Sequence, residues 1–553
     1  FTSTIMSWRL AAGVDFAGPD LQHAGGFLGW CYNAYYSSYL MTGRVEKARE
    51  RGMKVIIVDP RITPAVEKQC DLHLRIRPGT DGALALGLAR ELIVNGWTDE
   101  AYIAENVYGF GEYSRYVMDF TPERVELLTD VPASDLRLAA RMIHENGPLA
   151  IQQSGAALVH HVNGMQNHRA VMALSAITGS FDRPGGMIPG YLTYAHSMAG
   201  FKTRDHEFAA EPYPQGQPRP VGAVRYPLWD ELVGEMQGND LARQILTSDP
   251  YPLRAIWAHG MNYRMFGGDR LFEEALKSLE FFVDTELFLT DTAKYADIVL
   301  PCCSSFEREE FKVFPGGFAQ YTEPVIEPLG QSRPDDRIIM ELAERLELED
   351  PLLQAGTEAC VRWITAGTPA EDIDWLKADR QHPHRLPGFV PIPAGAHGFH
   401  TPTGRFELWS TVIEKHPGLD PLPTYRETVQ GDYPFVLVTG ARLPNALHSR
   451  LHDVPWLRSL RPSALADIND ADAEAMGVHA GDRIVIATAA GRLSVPANPT
   501  CIVKPGTVHL YHGYREADAN ALVPPGFADP YSGFPGYRSV PCTVRKEVPD
   551  DSV

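Results

Sequence analysis

The chain has 553 residues, 44% hydrophobic and 22% charged, with 50 Lys and Arg against 70 Asp and Glu, a net charge of −20. The apolar content is that of a globular protein and excludes a disordered or collagen-like chain. The acidic balance argues against a nucleic-acid binder, whose phosphates reward Lys and Arg. Seven cysteines without a C-x-x-C pair rule out a disulfide scaffold and leave no zinc ribbon or ferredoxin-type cluster visible. No run of about 18 apolar residues marks a membrane span. At roughly 150 residues per domain, three or four domains are expected.

The first third predicts alternating strands and helices. GGFLGW (25–30) reads as a short apolar strand, and RVEKARERG (44–52) as a helix stopped by Gly52. KVIIVDP (54–60) is a β-branched strand, and DLHLRIRPGTD (71–81) a second strand running into a turn. GALALGLARELIVNG (82–96) has a helical apolar stripe and a terminal glycine. DLRLAARMIHENG (helix), PLAIQQSG (strand) and NHRAVMALSAITG (helix) continue the pattern. This alternation predicts an α/β fold with a parallel, doubly wound sheet and ligands at the carboxyl ends of its strands.

Residues 188–250, rich in Pro, Gly, His and Tyr, read as irregular covering segments. A second αβ unit follows, with strands in LRAIWAHGMN, EFFVDTEL and ADIVLP, and helices in EEALKSL and RIIMELAERLEL. Residues 351–430 read as a Pro-rich connection containing the hairpin-like HTPTGRFEL. From 433 the pattern is β-rich (YPFVLVTG, DRIVIATAAGRLSVPA, GTVHLYHG), which predicts a barrel; NDADAEAMG is its one clear helix, capped by Asn469 or Asp470.

The chemistry concentrates at strand ends. Asp59 follows IIV, where a carboxylate can accept from a ribose hydroxyl or a base amine. Gly79, Thr80 and Asp81 join a strand to a helix N-terminus, a place that favours an anion. Each acid also suits a plain helix-capping role. The second unit repeats the arrangement with Gly260, Asn262, Asp284 and Thr285, and the barrel offers Thr439, Gly440 and Arg442, whose fork suits a phosphate. His448 and His512 read equally as surface or satisfied imidazoles.

Five separated segments then carry a resemblance. The wording and order of VIIVDPRITPAVEKQCDLHLRIRPGTDGALALGLARELI, FFVDTELFLTDTAKYADIVLPCCSSFEREE, HTPTGRFEL, FVLVTGARL…HSR and ANALV…GYRSVPCTVRKE resemble the molybdopterin oxidoreductases of the DMSO reductase family. The resemblance implies a molybdenum or tungsten centre held by two molybdopterin guanine dinucleotides. It also implies a Rossmann-like αβ domain (1–187), a second αβ domain (188–350), the connection (351–430) and a C-terminal double-psi-type barrel (431–548). By resemblance, Trp30 and Asn33 touch a pterin arm. Asp59 and Gly79 to Asp81 hold one guanosine and its phosphates, and Gly260, Asn262, Asp284 and Thr285 hold the other. Asp297 is the family's acidic residue in ADIVLP. Thr439, Gly440, Arg442 and His448 meet the pyrophosphate and pterin, and Asn520, Tyr537 and Arg538 finish the site.

Departures bear on mechanism. The family's N-terminal domain with four cysteines and a 4Fe–4S cluster has no counterpart in this sequence, which opens FTSTIMSWRL. The expectation is that a segment precedes Phe1 and carries the side chain that ligates the metal. Ser3 and Ser7 are the nearest candidates within the chain, and Cys31 is read as a packing residue. His160 and His161, after a strand end, are the candidates for proton transfer, with a polar or pterin-touching role as the plainer reading. Tyr191, Tyr194 and His196 fall where relatives keep an active-site Arg or His, but the wording fails there.

The reaction expected is oxygen, hydride or hydroxyl exchange with a small substrate, the metal cycling between +4 and +6. A non-redox hydratase or hydroxyl-transferase is the alternative, for which the aromatic-rich WCYNAYYSSY and DPYSGFPGY are suited. A non-catalytic scaffold is a third. An iron–sulfur electron-transfer subunit, anaerobic metabolism and a cytoplasmic or periplasmic setting complete the expectation.

Overall fold

The computed structural model describes residues 2–190, 217–314, 317–368, 371, 373–385, 392–427 and 432–548. Tyr191, Tyr194 and His196 lie outside the described residues.

After the N-terminal helix α1 (Thr2–Ala12), the first sheet is built from β1 (Gly26–Trp30), β2 (Lys54–Val58), β3 (Leu72–Leu74) and β4 (Leu149–Gln153). The order is β3-β2-β1-β4, all parallel. Every residue of β1 is buried, as expected of a strand covered on both faces. Two helices do much of the covering. One is α2 (Asp81–Val94), and the other is α3 (Gly164–Ile177), all of whose residues are buried. Helices apolar on most sides are core helices, and these two pack on each other. Chain order reverses between β1 and β4, so a crevice opens beyond their carboxyl ends.

The second unit has strands β5 (Ala255–His259), β6 (Phe281–Glu286) and β7 (Ile298–Pro301), parallel in the order β7-β6-β5. Phe272, Leu276 and Phe282 centre its core. The barrel is closed: β8 (Phe435–Thr439), β9 (Ala466–Asn469), β10 (Arg483–Ala487), β11 (Arg492–Thr500), β12 (Thr507–Leu510) and β13 (Val540–Lys546) run in the order β8-β12-β9-β11-β10-β13. Asn469 caps the short helix after β9 by accepting from the Ala471 N–H.

Four local expectations change. In the stretch 188–250, read as irregular, Pro227–Val233 and Leu241–Thr247 are helices, whose Leu228, Trp229, Leu241 and Ile245 are buried. The strand expected over 71–77 pairs only from Leu72 to Leu74, because Arg75 turns away and donates to the carbonyls of Cys501 and Ile502 on the barrel. HTPTGRFEL forms no hairpin of its own. Phe406 and Glu407 pair in parallel with Val107 and Tyr108, driven by burial of Phe406 and Leu408 in the first unit's core. Within the Pro-rich stretch, Pro351–Ala355, Thr357–Thr365 and Asp374–Ala378 are helices. The last two pack on the hairpin Glu310–Phe314/Phe318–Thr322 through Val361, Ile373 and Leu376. Among the described residues no helix is long and apolar enough to cross a membrane.

Candidate functional site

A cavity of about 860 Å³ lies where the first sheet, the second unit and the barrel meet. Its floor is the set of carboxyl strand ends that the topology dictates: Cys31, Tyr32 and Asn33 after β1, Asp59 and Arg61 after β2, Pro78 and Asp81 after β3, and Ser154 and Gly155 after β4. The barrel supplies Gly440, Arg442, His448, His512, Asn520, Tyr537 and Arg538; Trp229, Gln237 to Asn239, Met265 and Phe266 close another side. Four arginines (Arg44, Arg61, Arg442, Arg538) face two aspartates (Asp59, Asp81) in this cavity. An acidic chain has therefore placed a cationic surplus where a polyanion would sit.

Each wall is tied to the next. Arg61 lies against Asp59 and donates to His509 Nε2 at 3.2 Å, and His509 Nδ1 in turn meets Asp467 at 3.1 Å. Burial pushes the His509 imidazole down to about 4 and raises Asp59. On the other side, Asn520 Nδ2 donates to the Arg264 carbonyl at 2.6 Å and the Tyr537 hydroxyl to the Met265 carbonyl at 3.0 Å. Arg538 ties the barrel rim to the first unit: its backbone N–H donates to the His160 carbonyl and its guanidinium to the Gly440 carbonyl. Burial lowers its guanidinium to about 10, still cationic at neutral pH.

The two candidate histidines both line the cavity. His160 stacks on Phe534 at 4.8 Å and meets Tyr537 edge-on, and burial holds it well below the usual imidazole range. His161 touches Ser539 Oγ at 3.0 Å through Nδ1 and approaches Asp81 at 3.7 Å through Nε2. Burial lowers it to about 3. Asp81 itself, 2% exposed, is raised to about 6 by burial, against the favourable hydrogen bond from Trp30.

Other predicted residues fall elsewhere. Trp30 is a core side chain that donates to Asp81 at 2.8 Å; β1 is sandwiched, so its indole points into packing. Gly79 supplies the turn (φ 88°) and the Thr80 hydroxyl returns to the Arg77 carbonyl, so neither lines the cavity. Asp297 is exposed and pins β6 by accepting from the Phe282 N–H. Asn262 donates to Ser449 and Thr285 accepts from Trp257, while Gly260 adopts a left-handed turn; all three lie outside the cavity lining. Ser3 and Ser7 are buried on α1, with the Ser7 hydroxyl returned to the Ser3 carbonyl, and neither reaches the cavity. Cys31, read as packing, instead faces the cavity at φ 53°. Among the described residues no group of three His, Cys, Asp or Glu side chains is arranged to hold a metal ion.

Residues with no assigned role also converge. Gln152, Gln153 and Asn239 line the cavity with Arg61 and Phe534. Two polar glutamines closing the apolar strand PLAI are the signal that the sequence offers for them.

Whether these side chains suit a bound dinucleotide is tested by their unmet hydrogen bonds. Buried polar atoms in proteins are nearly always paired. Here Asn33 Oδ1, both amide atoms of Gln153, Thr439 Oγ1, Arg538 Nε and both carboxylate oxygens of Asp284 are buried without a partner. Asp284 is fully buried within β6, two residues before its carboxyl end, and burial raises it to about 6. A paired acceptor of this kind complements the adjacent ring N–H and amine of a guanine. The donor set fits the group.

The molybdopterin oxidoreductase family model matches residues 2–345, and the molydopterin dinucleotide binding domain matches 435–541. The chain belongs to the molybdopterin oxidoreductase family. It is 29% identical to the probable oxidoreductase YoaE of Bacillus subtilis over 90% of this chain and 70% of that one. It is 28% identical to the acetylene hydratase of Syntrophotalea acetylenica over 85% of this chain and 67% of that one. The solved acetylene hydratase from Pelobacter acetylenicus shares the fold, with a TM-score of 0.85, 24% identity, and coverage of 99% of this chain and 81% of that one. The protein is thus an enzyme of this family, and its barrel is the domain that binds a molybdopterin dinucleotide.

Proposed function

We propose that the protein is a molybdenum- or tungsten-dependent oxidoreductase that holds two molybdopterin guanine dinucleotides across its two αβ units and barrel. The observation that carries this reading is the buried, unpaired carboxylate of Asp284 in the second unit, set apart from the arginine-lined cavity of the first. Two separate acceptor and cation sites suit two nucleotide arms. Asp284 would take one guanine. Asp59, with Arg61, would take the other nucleoside and its phosphates, and Gly440, Arg442 and Arg538 would clamp a pyrophosphate from the barrel side. The left-handed Gly440 (φ 78°) lets backbone approach the ligand closely.

When bound, the metal dithiolene centre supplies two-electron redox chemistry. The chain's own side chains bind and orient it, exclude water and carry protons. Asn33 and Gln153 offer free hydrogen-bonding atoms at the β1/β4 switch point, and His160 presents a neutral imidazole held by Phe534 and Tyr537.

A second reading, net hydration or hydroxyl transfer without redox, is supported by the aromatic lining. Tyr36, Trp229, Phe266 and Phe534 face the same cavity, which suits a small unsaturated or aromatic substrate. An anaerobic assay with artificial redox dyes, run beside hydration of small alkynes, separates the two. Dye-coupled turnover supports the oxidoreductase, and hydration without dye turnover overturns it in favour of the second reading. An iron–sulfur electron-transfer partner belongs to the first reading alone.

A further inference from the structure

We infer that Asp81 is the inner station of a buried proton path that enters beside Tyr425, passes the Asn163–Asn167 pair and opens on the cavity. The inference rests on the proposed function, because either reaction takes up or releases protons there.

Asp81 stands at the N-terminus of α2, with Oδ1 accepting from Trp30 and facing the Cys31 thiol at 4.0 Å, and Oδ2 3.7 Å from His161. His161, a neutral imidazole, is its nearest basic neighbour among the described residues. The other titratable groups facing it are Asp59, of the same sign, and Tyr425; Arg538 faces His161 and Cys31 rather than Asp81. Among the described residues no Arg or Lys pairs with Asp81, and burial raises its carboxyl toward the range a transfer group needs.

Behind it, α2 and α3 come very close. A Cβ on Gly82 would stand 2.7 Å from Asn167 Oδ1 and 3.6 Å from the Tyr425 ring. Asn163 Nδ2 donates to Asn167 Oδ1 and to the Thr424 carbonyl, both at 3.1 Å. The remaining atoms there, Asn163 Oδ1, Asn167 Nδ2 and Tyr425 Oη, are buried without a partner. Asn163 is 2% and Asn167 0% exposed. Three unmet polar atoms on side chains gathered around Gly82, the residue after Asp81, are partners that ordered internal water would satisfy. Tyr425 is only half-buried and is followed by the exposed Arg426 and Glu427, which supplies the outer end.

In the step, the Asp81 O–H bond breaks as its proton passes to a base in the cavity. The carboxylate left behind is reprotonated from bulk water through Tyr425 and the internal water, or the same transfers run in reverse.

Infrared difference spectroscopy in H2O and D2O tests this on cofactor-free and loaded protein. A protonated-carboxyl band is expected that Asp81→Asn removes. In Tyr425→Phe, which keeps the ring packing, the band should remain while its H/D exchange slows by about tenfold or more. In the loaded enzyme kcat should fall with KM unchanged. An unchanged exchange rate in Tyr425→Phe, or no carboxyl band assignable to Asp81, overturns the path. Wild-type protein that binds no molybdopterin defeats the functional reading instead, and leaves the infrared result standing on its own.

Discussion

Arg61 Nη1, just past β2 of the first sheet, lies 3.2 Å from Nε2 of His509 on barrel strand β12, 448 residues away in sequence. The contact is one link of a buried chain, Asp59–Arg61–His509–Asp467, which Asn498 completes by donating to Asp467 at 2.8 Å. It joins the sheet that holds one wall of the cavity to the barrel that holds the other. Removing one member leaves an uncompensated buried charge. Arg61→Ala should cost about 3 kcal/mol, read as a lowered midpoint in denaturant unfolding of the cofactor-free protein.

Asp284 makes a prediction with a sign. Its carboxyl sits at about 6 in the folded protein against an ordinary 3.8, so the folded state holds the proton more tightly than the unfolded one. The stability this contributes is present below about pH 4 and is lost as pH rises through about 6. Cofactor-free wild type should therefore lose thermal stability between those values. Asp284→Asn should flatten that loss and be the more stable at pH 7. The same variant should retain less cofactor in loaded protein, because an amide presents one acceptor where the carboxylate presents two. Wild-type cofactor occupancy in this variant would contradict the guanine assignment.

Arg442 faces the cavity from the loop after β8. Arg442→Lys should reduce cofactor content despite keeping the charge, since an ammonium cannot reproduce a bidentate fork on a phosphate. Equal pterin content in the two proteins would count against a phosphate contact.

Gly513 holds φ 96°, and a Cβ there would meet the His448 carbonyl at 2.3 Å. That carbonyl also accepts from His452, and His448 Nδ1 sits 2.8 Å from His512 Nε2. Gly513→Ala should destabilise the fold by about 1–3 kcal/mol and disturb the His448–His512 pair, visible as shifted imidazole resonances in NMR titration.

How much of the fold and site is legible in the sequence follows from how local each signal is. β1, β2 and β4 are buried apolar runs with clear stops, so the residue pattern alone places their carboxyl ends, with Asp59 directly after β2. Barrel strands β8, β10, β11 and β12 are legible for the same reason, whereas β9 and β13 lie outside the runs that the pattern marks. Trp30 is not, because a strand covered on both faces loses its in–out alternation and nothing in GGFLGW tells which way the indole points. Asp297 looks like Asp59 in sequence, an acid beside an apolar strand, yet its oxygen is taken by the Phe282 N–H. Gln153 and Arg61 owe their roles to partners far along the chain or to a missing partner, neither of which a local pattern contains. The stretch 351–430 reads as a connection because its prolines mask short helices whose apolar contacts lie on another unit.

The most direct test of the central claim is the metal and nucleotide content of the purified, anaerobically prepared protein. Molybdenum or tungsten is expected at near-stoichiometric occupancy, with two guanine nucleotides released per metal on acid hydrolysis. Protein that folds but carries neither metal nor pterin would contradict it.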